Sequence, residues 1–281
     1  MQVVILGSGS PIPAPDRAGP STLVRTSVGD LLFDAGRGVS MRAAAVASGP
    51  VAFRAVFLTH LHSDHVTDLN DVITTRWAMS FTPNPLEVYG PVGTSSLVTA
   101  TETMLETDIG YRLAHHDDLT WRPGTRATDV TDVTDGIVFD HGGVRVTAAQ
   151  TDHAPVHPTL GYRIDDGAES VVVAGDTVPC EGLDRLCTGA GVLVHTVVRR
   201  DQIEALGLPR LLDVLDYHST VADAARTAQR AGVATLVLTH MVPPVQPGGE
   251  QEWIDRAAAE FGGTVVLAHD LTTVEADRTV H

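Results

Sequence analysis

Short apolar runs recur along this chain, and several of them close on a polar or titratable residue. Residues 3–6, 31–34, 55–59, 144–151, 170–174, 192–194 and 235–239 are rich in β-branched and large apolar side chains and too short for helices, so they read as strands. His60, His153, Asp176 and His240 stand just beyond four of these runs, which places them at strand ends on one rim. Elsewhere the spacing turns helical, over 220–231 with Thr220 to cap it and Gly232 to end it, and over 250–261 before Gly262 and Gly263. Strands and helices in this order predict two packed sheets with helices outside. The pattern is weakest over 77–116, where Pro83, Pro85, Gly90, Pro91 and Gly93 cut it into pieces. A helix and loop over 70–81 is expected to bring Arg76, Trp77 or Phe81 to the mouth of any site on the rim. Residues 243–249, rich in Pro and Gly, read as a rigid connector after the His240 strand.

Residues 59–65, Thr-His-Leu-His-Ser-Asp-His, change the picture. Three imidazoles and a carboxylate gathered in one turn are costly to place unless a metal collects them, and this donor mixture suits zinc or a similar first-row divalent ion. Because His60, His153, Asp176 and His240 must converge, the 281 residues are expected to act as one unit. Apolar content of 43% is ample for a core, and no apolar run is long enough to cross a bilayer. The first nine residues lack the basic start and apolar middle of a secretory signal, so a soluble cytoplasmic protein with no membrane partner is expected. Cys180 and Cys187 fit a reducing compartment. A formal net charge of −16 argues against polyphosphate partners, since nucleic-acid affinity rests heavily on basic side chains neutralising phosphates.

The heptapeptide resembles the His-x-His-x-Asp-His signature of the metallo-β-lactamase superfamily. Leu6-Gly7-Ser8-Gly9-Ser10-Pro11 is similar to the glycine-rich first hairpin of its ribonuclease Z-like branch, and Leu31-Leu32-Phe33-Asp34-Ala35-Gly36 to the strand and turn that follow. Thr151-Asp152-His153, Ala174-Gly175-Asp176-Thr177, Tyr217-His218-Ser219-Thr220 and Leu236-Val237-Leu238-Thr239-His240 resemble the later motifs in their order, so the likeness covers nearly the whole chain. It implies an α/β fold, the αββα sandwich of two mixed sheets flanked by helices, as a single domain over 1–281. It also implies two divalent ions, zinc first and manganese or iron as alternatives. His60, His62 and His153 would hold one, Asp64, His65 and His240 the other, with Asp176 bridging. A shared hydroxide would then attack the substrate. Asp64 would orient that hydroxide and His218 would serve the oxyanion or leaving group. Taken singly, His153 could also be a core histidine and Asp176 a turn cap, though the ligand reading of His153 is favoured. Asp34 is expected to orient a ligand rather than bind metal. His115, His116, His141, His157, His195, His269 and His281 are expected not to be ligands, with His157 and His195 nearest the site. The members that use two irons for redox chemistry carry glutamate where His62 stands, which argues against that chemistry.

Two departures shape the functional expectation. Ribonuclease Z itself pairs a glutamate with the histidine that His218 matches, whereas this chain has Thr196 there; His218 is therefore expected to be the weaker acid. The tRNA-binding arm of those enzymes would fall between Ile164 and Gly175, where only the acidic turn 165–169 is found. Together with the charge, this predicts a small-molecule phosphodiesterase. Lactone, carboxylic ester, thioester or aryl sulfate hydrolysis is the alternative. tRNA 3′ processing and non-catalytic metal binding rank below both, tRNA is not expected as a partner, and a homodimer is allowed for.

Overall fold

Alternation along the strands decides what each face meets. In β1 (Gln2–Gly7), Val3 and Ile5 face one way and Val4 and Leu6 the other, and all four are buried. A strand apolar on both faces belongs in the middle of a layered structure. The computed structural model, which describes residues 1–131 and 136–276, has two seven-stranded sheets. The first holds β1, β2 (Ser21–Thr26), β3 (Gly29–Phe33), β4 (Phe53–Phe57), β5 (Glu87–Pro91) and β6 (Arg126–Val130). The second holds β7 (Gly136–His141), β8 (Val144–His153), β9 (Val156–Asp166), β10 (Glu169–Val173), β11 (Val192–Val198), β12 (Thr235–Val242) and β13 (Thr264–Leu267). The last strand, β14 (Thr272–Glu275), returns to the first sheet and pairs antiparallel with β1.

Both sheets are mixed. The first is antiparallel from β14 through β3 and parallel from β3 to β6. The second is parallel from β13 to β10 and antiparallel from β10 to β7. Ile5, Phe33 and Phe57 of one sheet meet Tyr162, Val171 and Val194 of the other in a shared core. Phe33 and Phe57 stack at 4.9 Å, and the buried Tyr162 hydroxyl donates to the Leu58 carbonyl at 2.7 Å, which ties the sheets together and satisfies its polar end. Helices Val39–Ala45 and Leu69–Ala78 cover the outer face of the first sheet, and Glu181–Cys187, Val221–Ala231 and Glu250–Ala258 that of the second. This is the helix-flanked sandwich of two mixed sheets that the motif resemblance implies. No helix among the described residues is long and apolar enough to cross a membrane.

Two local expectations fail. Leu69, Val72, Ile73, Arg76 and Trp77 form the buried stripe of helix Leu69–Ala78, so Arg76 and Trp77 serve packing rather than a site mouth. Arg76 donates to the carbonyls of Pro50 at 2.7 Å, Phe53 at 2.6 Å and Asn84 at 2.8 Å, and Trp77 packs with Ile109 and Leu119. Phe81 is 89% exposed beyond that helix. The stretch after it contains β5 and two helices, Thr94–Met104 and Glu106–His115, the first rich in threonine, a weak helix former.

Candidate metal centre

The parallel strands of both sheets end at one rim, and the titratable residues that follow them converge there, as ligand sites commonly do at strand carboxyl ends. At the end of β3, Asp34 adopts φ 60°, a left-handed conformation an aspartate tolerates better than most residues. Its carboxylate accepts from the Thr59 backbone N–H at 2.8 Å, from the Thr59 hydroxyl at 2.9 Å and from His65 Nδ1 at 2.8 Å. Because the Thr59 hydroxyl donates to Asp34, it accepts from His60 Nδ1 at 3.0 Å. One carboxylate thus fixes the tautomers of His60 and His65, leaving both Nε2 lone pairs bare.

The second sheet supplies the other half. At the end of β8, His153 donates from Nδ1 to the Tyr217 carbonyl at 2.8 Å. His218 donates from Nδ1 to the Val214 carbonyl at 3.1 Å. In β12, His240 takes φ 51°, with its backbone N–H on the Ser8 carbonyl at 3.2 Å; the break in strand alternation turns its ring to the rim. Asp176 follows β10 and is 3% exposed.

Around the Asp176 Oδ2 atom stand the Nε2 atoms of His218 at 3.2 Å, His65 and His240 at 3.5 Å, His60 at 3.8 Å and His153 at 3.9 Å. His62 turns Nδ1 to within 3.0 Å of His60 Nε2 and 3.4 Å of His153 Nε2. Asp64 Oδ2 lies 3.3 Å from His240 Nε2. The ligand atoms of His60, His62, His153 and Asp176 all fall within 4.8 Å of one another, as do those of Asp64, His65 and His240, and of Asp176, His218 and His240. Four of these imidazoles have committed their Nδ1 hydrogens elsewhere, so nitrogen lone pairs face carboxylate lone pairs. His65 Nε2 and Asp176 Oδ1 are buried with no hydrogen-bond partner among the described residues. Such an array needs positive charge at its centre, and a pair of divalent cations fits it.

The titration tendencies divide the imidazoles, pushing His60 and His153 toward the neutral form and drawing His65 and His240 toward the protonated one beside Asp176. Burial pushes His60 well down and holds His153 at about 4 against the pull of Asp176. Burial also opposes protonation of His65, but Asp176 and Asp34 outweigh it and hold that imidazole well above its usual range. Asp176 stays ionised despite burial, because His240, His65 and His218 surround it.

All seven residues named as metal ligands from the sequence, together with His218, are thus brought together. His115, His116, His141, His157 and His269 are exposed and apart from these groups, and His281 lies outside the described residues. His195 is fully buried, its Nδ1 on the Thr196 carbonyl at 2.7 Å. Thr196 donates to the Gly175 carbonyl at 3.0 Å, so no acid stands behind His218 at that position. The lead-in to His218 is a 3₁₀ turn, Val214–Asp216, whose curl presents the Val214 carbonyl to the imidazole. Sequence reading missed the carbonyls of Val214, Tyr217 and Ser8, since a backbone acceptor has no residue signature. It also missed the ring of Tyr217, which its place beside His218 could have flagged.

A model of the beta-lactamase superfamily domain matches residues 30–241. The chain is 55% identical over 279 residues to a protein of Mycobacterium avium named ribonuclease Z, with 99% of each covered, and 51% identical over 277 residues to its Mycobacterium bovis namesake, with 98% of each covered. Among solved structures it resembles the metallo-beta-lactamase fold protein YhfI of Bacillus subtilis (22% identity, TM-score 0.75, 97% of this chain and 98% of that one). It is also like the short form of human tRNase Z (24% identity, TM-score 0.72, 99% and 100% covered). These relatives overturn the expectation that tRNA is an unlikely partner, and they do not support a small-molecule substrate. The turn 165–169 is indeed a tight hairpin joining β9 to β10. Yet proteins matched end to end, leaving no room for a long extra arm, bear the ribonuclease name, so neither the missing arm nor the net charge decides the substrate.

Proposed function

From the premise that this chain belongs to the beta-lactamase superfamily, among the relatives named ribonuclease Z, we propose that it is a zinc-dependent ribonuclease acting in the cytoplasm on the 3′ side of precursor tRNA. The observation that carries the reading is the ring of imidazole Nε2 atoms around the Asp176 carboxylate. His60, His62 and His153 would hold one ion, Asp64, His65 and His240 the second, and Asp176 both. Bound there, two divalent ions activate water and neutralise charge building on the phosphodiester oxygens.

The chain's own groups do the rest. Asp34 keeps two imidazoles in the ligating tautomer through Thr59 and His65. Asp64 remains ionised: burial opposes this, but the contacts with His240 and His65 prevail, so its carboxylate can orient an attacking water. His218 presents Nε2 to the same space and is placed to hydrogen-bond the departing oxygen; its support is a carbonyl rather than a carboxylate. Because ligands come from both sheets, residues 1–281 are taken to work as one catalytic unit.

The acidic surface does not oppose this substrate at the rim. The 19 basic residues are all arginine, and most pair with carboxylates. Arg17 donates instead to the Ser8 hydroxyl and the Ala268 carbonyl, and Arg37 to the Ser10 carbonyl, both on the loop that also receives the His240 N–H. Their charge is available to phosphates there. The test is to load purified protein with zinc, count the ions by elemental analysis and incubate it with precursor tRNA carrying a 3′ trailer. The expected result is two ions per chain and one product shortened at its 3′ side, with His62→Ala losing metal and cleavage together. Two bound ions without cleavage of any RNA would overturn the reading.

A further inference from the structure

One ring at the metal rim has no part in the chemistry above. Tyr217 sits between the 3₁₀ turn Val214–Asp216 and His218, partly exposed, while its two ring neighbours are buried. Its ring centroid is 5.0 Å from that of His153 at an interplanar angle of 80°, and 4.8 Å from that of His218 at 46°. It belongs to none of the apolar clusters, although Val214 and Leu215 just before it pack with Val198 and Ile203. A chain with only 5% aromatic residues therefore holds one of them, in a half-buried residue, against two imidazoles of the metal centre. The main chain fixes it there, since its carbonyl takes the His153 Nδ1 hydrogen and the next residue's imidazole is anchored to Val214.

A flat ring in a half-buried residue beside the metal rim has the properties of a base-stacking surface. Bases of unpaired RNA stack on aromatic side chains with little regard to sequence, because every base has a π-face. We propose that Tyr217 stacks on the base of the nucleotide next to the scissile bond, and so selects for an unpaired nucleotide at that position. The proposal rests on the ribonuclease reading and adds to it the residue that reads single-strandedness.

The experiment uses the zinc-loaded protein and precursor tRNA whose nucleotides flanking the cleavage site are either intact or abasic. With the wild type, one abasic position should raise KM about 5- to 150-fold, the range a lost stacking contact gives. Tyr217→Ala should show a rise of the same size on intact RNA, with two ions still bound, and no further rise on abasic RNA. Tyr217→Phe should restore the wild-type KM and its sensitivity, whereas Tyr217→Leu, which fills space without a π-face, should not. Equal sensitivity to abasic RNA in the wild type and Tyr217→Ala, or rescue by Leu, would overturn the stacking role and leave the ring as packing for His153. A wild type that cleaves abasic and intact RNA alike overturns the stacking role alone. A wild type that neither binds nor cleaves RNA overturns both this role and the reading beneath it.

Discussion

His195 shows how much one buried ring can dictate. It is fully enclosed, donates only to its neighbour's carbonyl and leaves Nε2 with no partner, so burial holds its pKa at about 4. In the unfolded chain the same imidazole takes up a proton near pH 6.5. The folded pKa being the lower one, the unfolded state binds more protons between those values, and stability falls as pH drops through that window. The size is roughly 3 kcal/mol between pH 7 and pH 4, at about 1.4 kcal/mol per unit. His195→Leu, similar in volume and unable to titrate, is expected to remove that part of the slope in urea unfolding measured across pH; an unchanged slope would show that other groups carry it. The ligands were legible because a turn carrying His60, His62, Asp64 and His65 has one economical explanation. Arg76 was misread for the opposite reason, since a guanidinium buried on main-chain carbonyls looks in sequence like any other charge.

At the scale of the element, the helix Val221–Ala231 is built as its sequence predicts. The Thr220 hydroxyl accepts from the Asp223 N–H at 3.2 Å and the Asp223 carboxylate takes the Thr220 N–H at 3.0 Å, a reciprocal cap, and Gly232 closes the helix at φ 65°. Thr220→Ala should lower stability by about 1 kcal/mol, read as a shift in the urea midpoint, with Thr220→Ser close to wild type. A drop no larger than a surface substitution gives would mean that tertiary contacts hold the helix unaided. Strands with strong β-branched runs were equally legible. β2 and β9 were not, because Ser21, Thr22, His157 and Pro158 interrupt the apolar alternation, and β9 is recognised only once β8 and β10 lie on either side of it. Val214-Leu215 shows the limit of short apolar pairs, which fit a strand and a 3₁₀ turn alike.

At the scale of the molecule, ligands from both sheets mean that bound metal clamps one sheet to the other. Removing the ions with a chelator should lower the melting temperature by roughly 5–10 °C per site, since an ion at a hundred times its dissociation constant contributes about 2.7 kcal/mol. A melting curve indifferent to chelator would show that the rim is rigid without metal. Net charge was the poorest guide at this scale, because a sum over the surface cannot report that Arg17 and Arg37 lie unpaired with acid beside the Ser8–Ser10 turn. The return of β14 to the first sheet bears on how the chain comes to be folded at all. The neighbours of β1 are β2, which follows it directly in sequence, and the far-off β14, whose Val274 pairs with Val3. As the chain leaves the ribosome, one edge of β1 must wait uncovered while every strand from β2 to β13 is made. An exposed strand edge invites association with other nascent chains. β14 is therefore the segment whose arrival ends the interval in which this protein is open to misassembly.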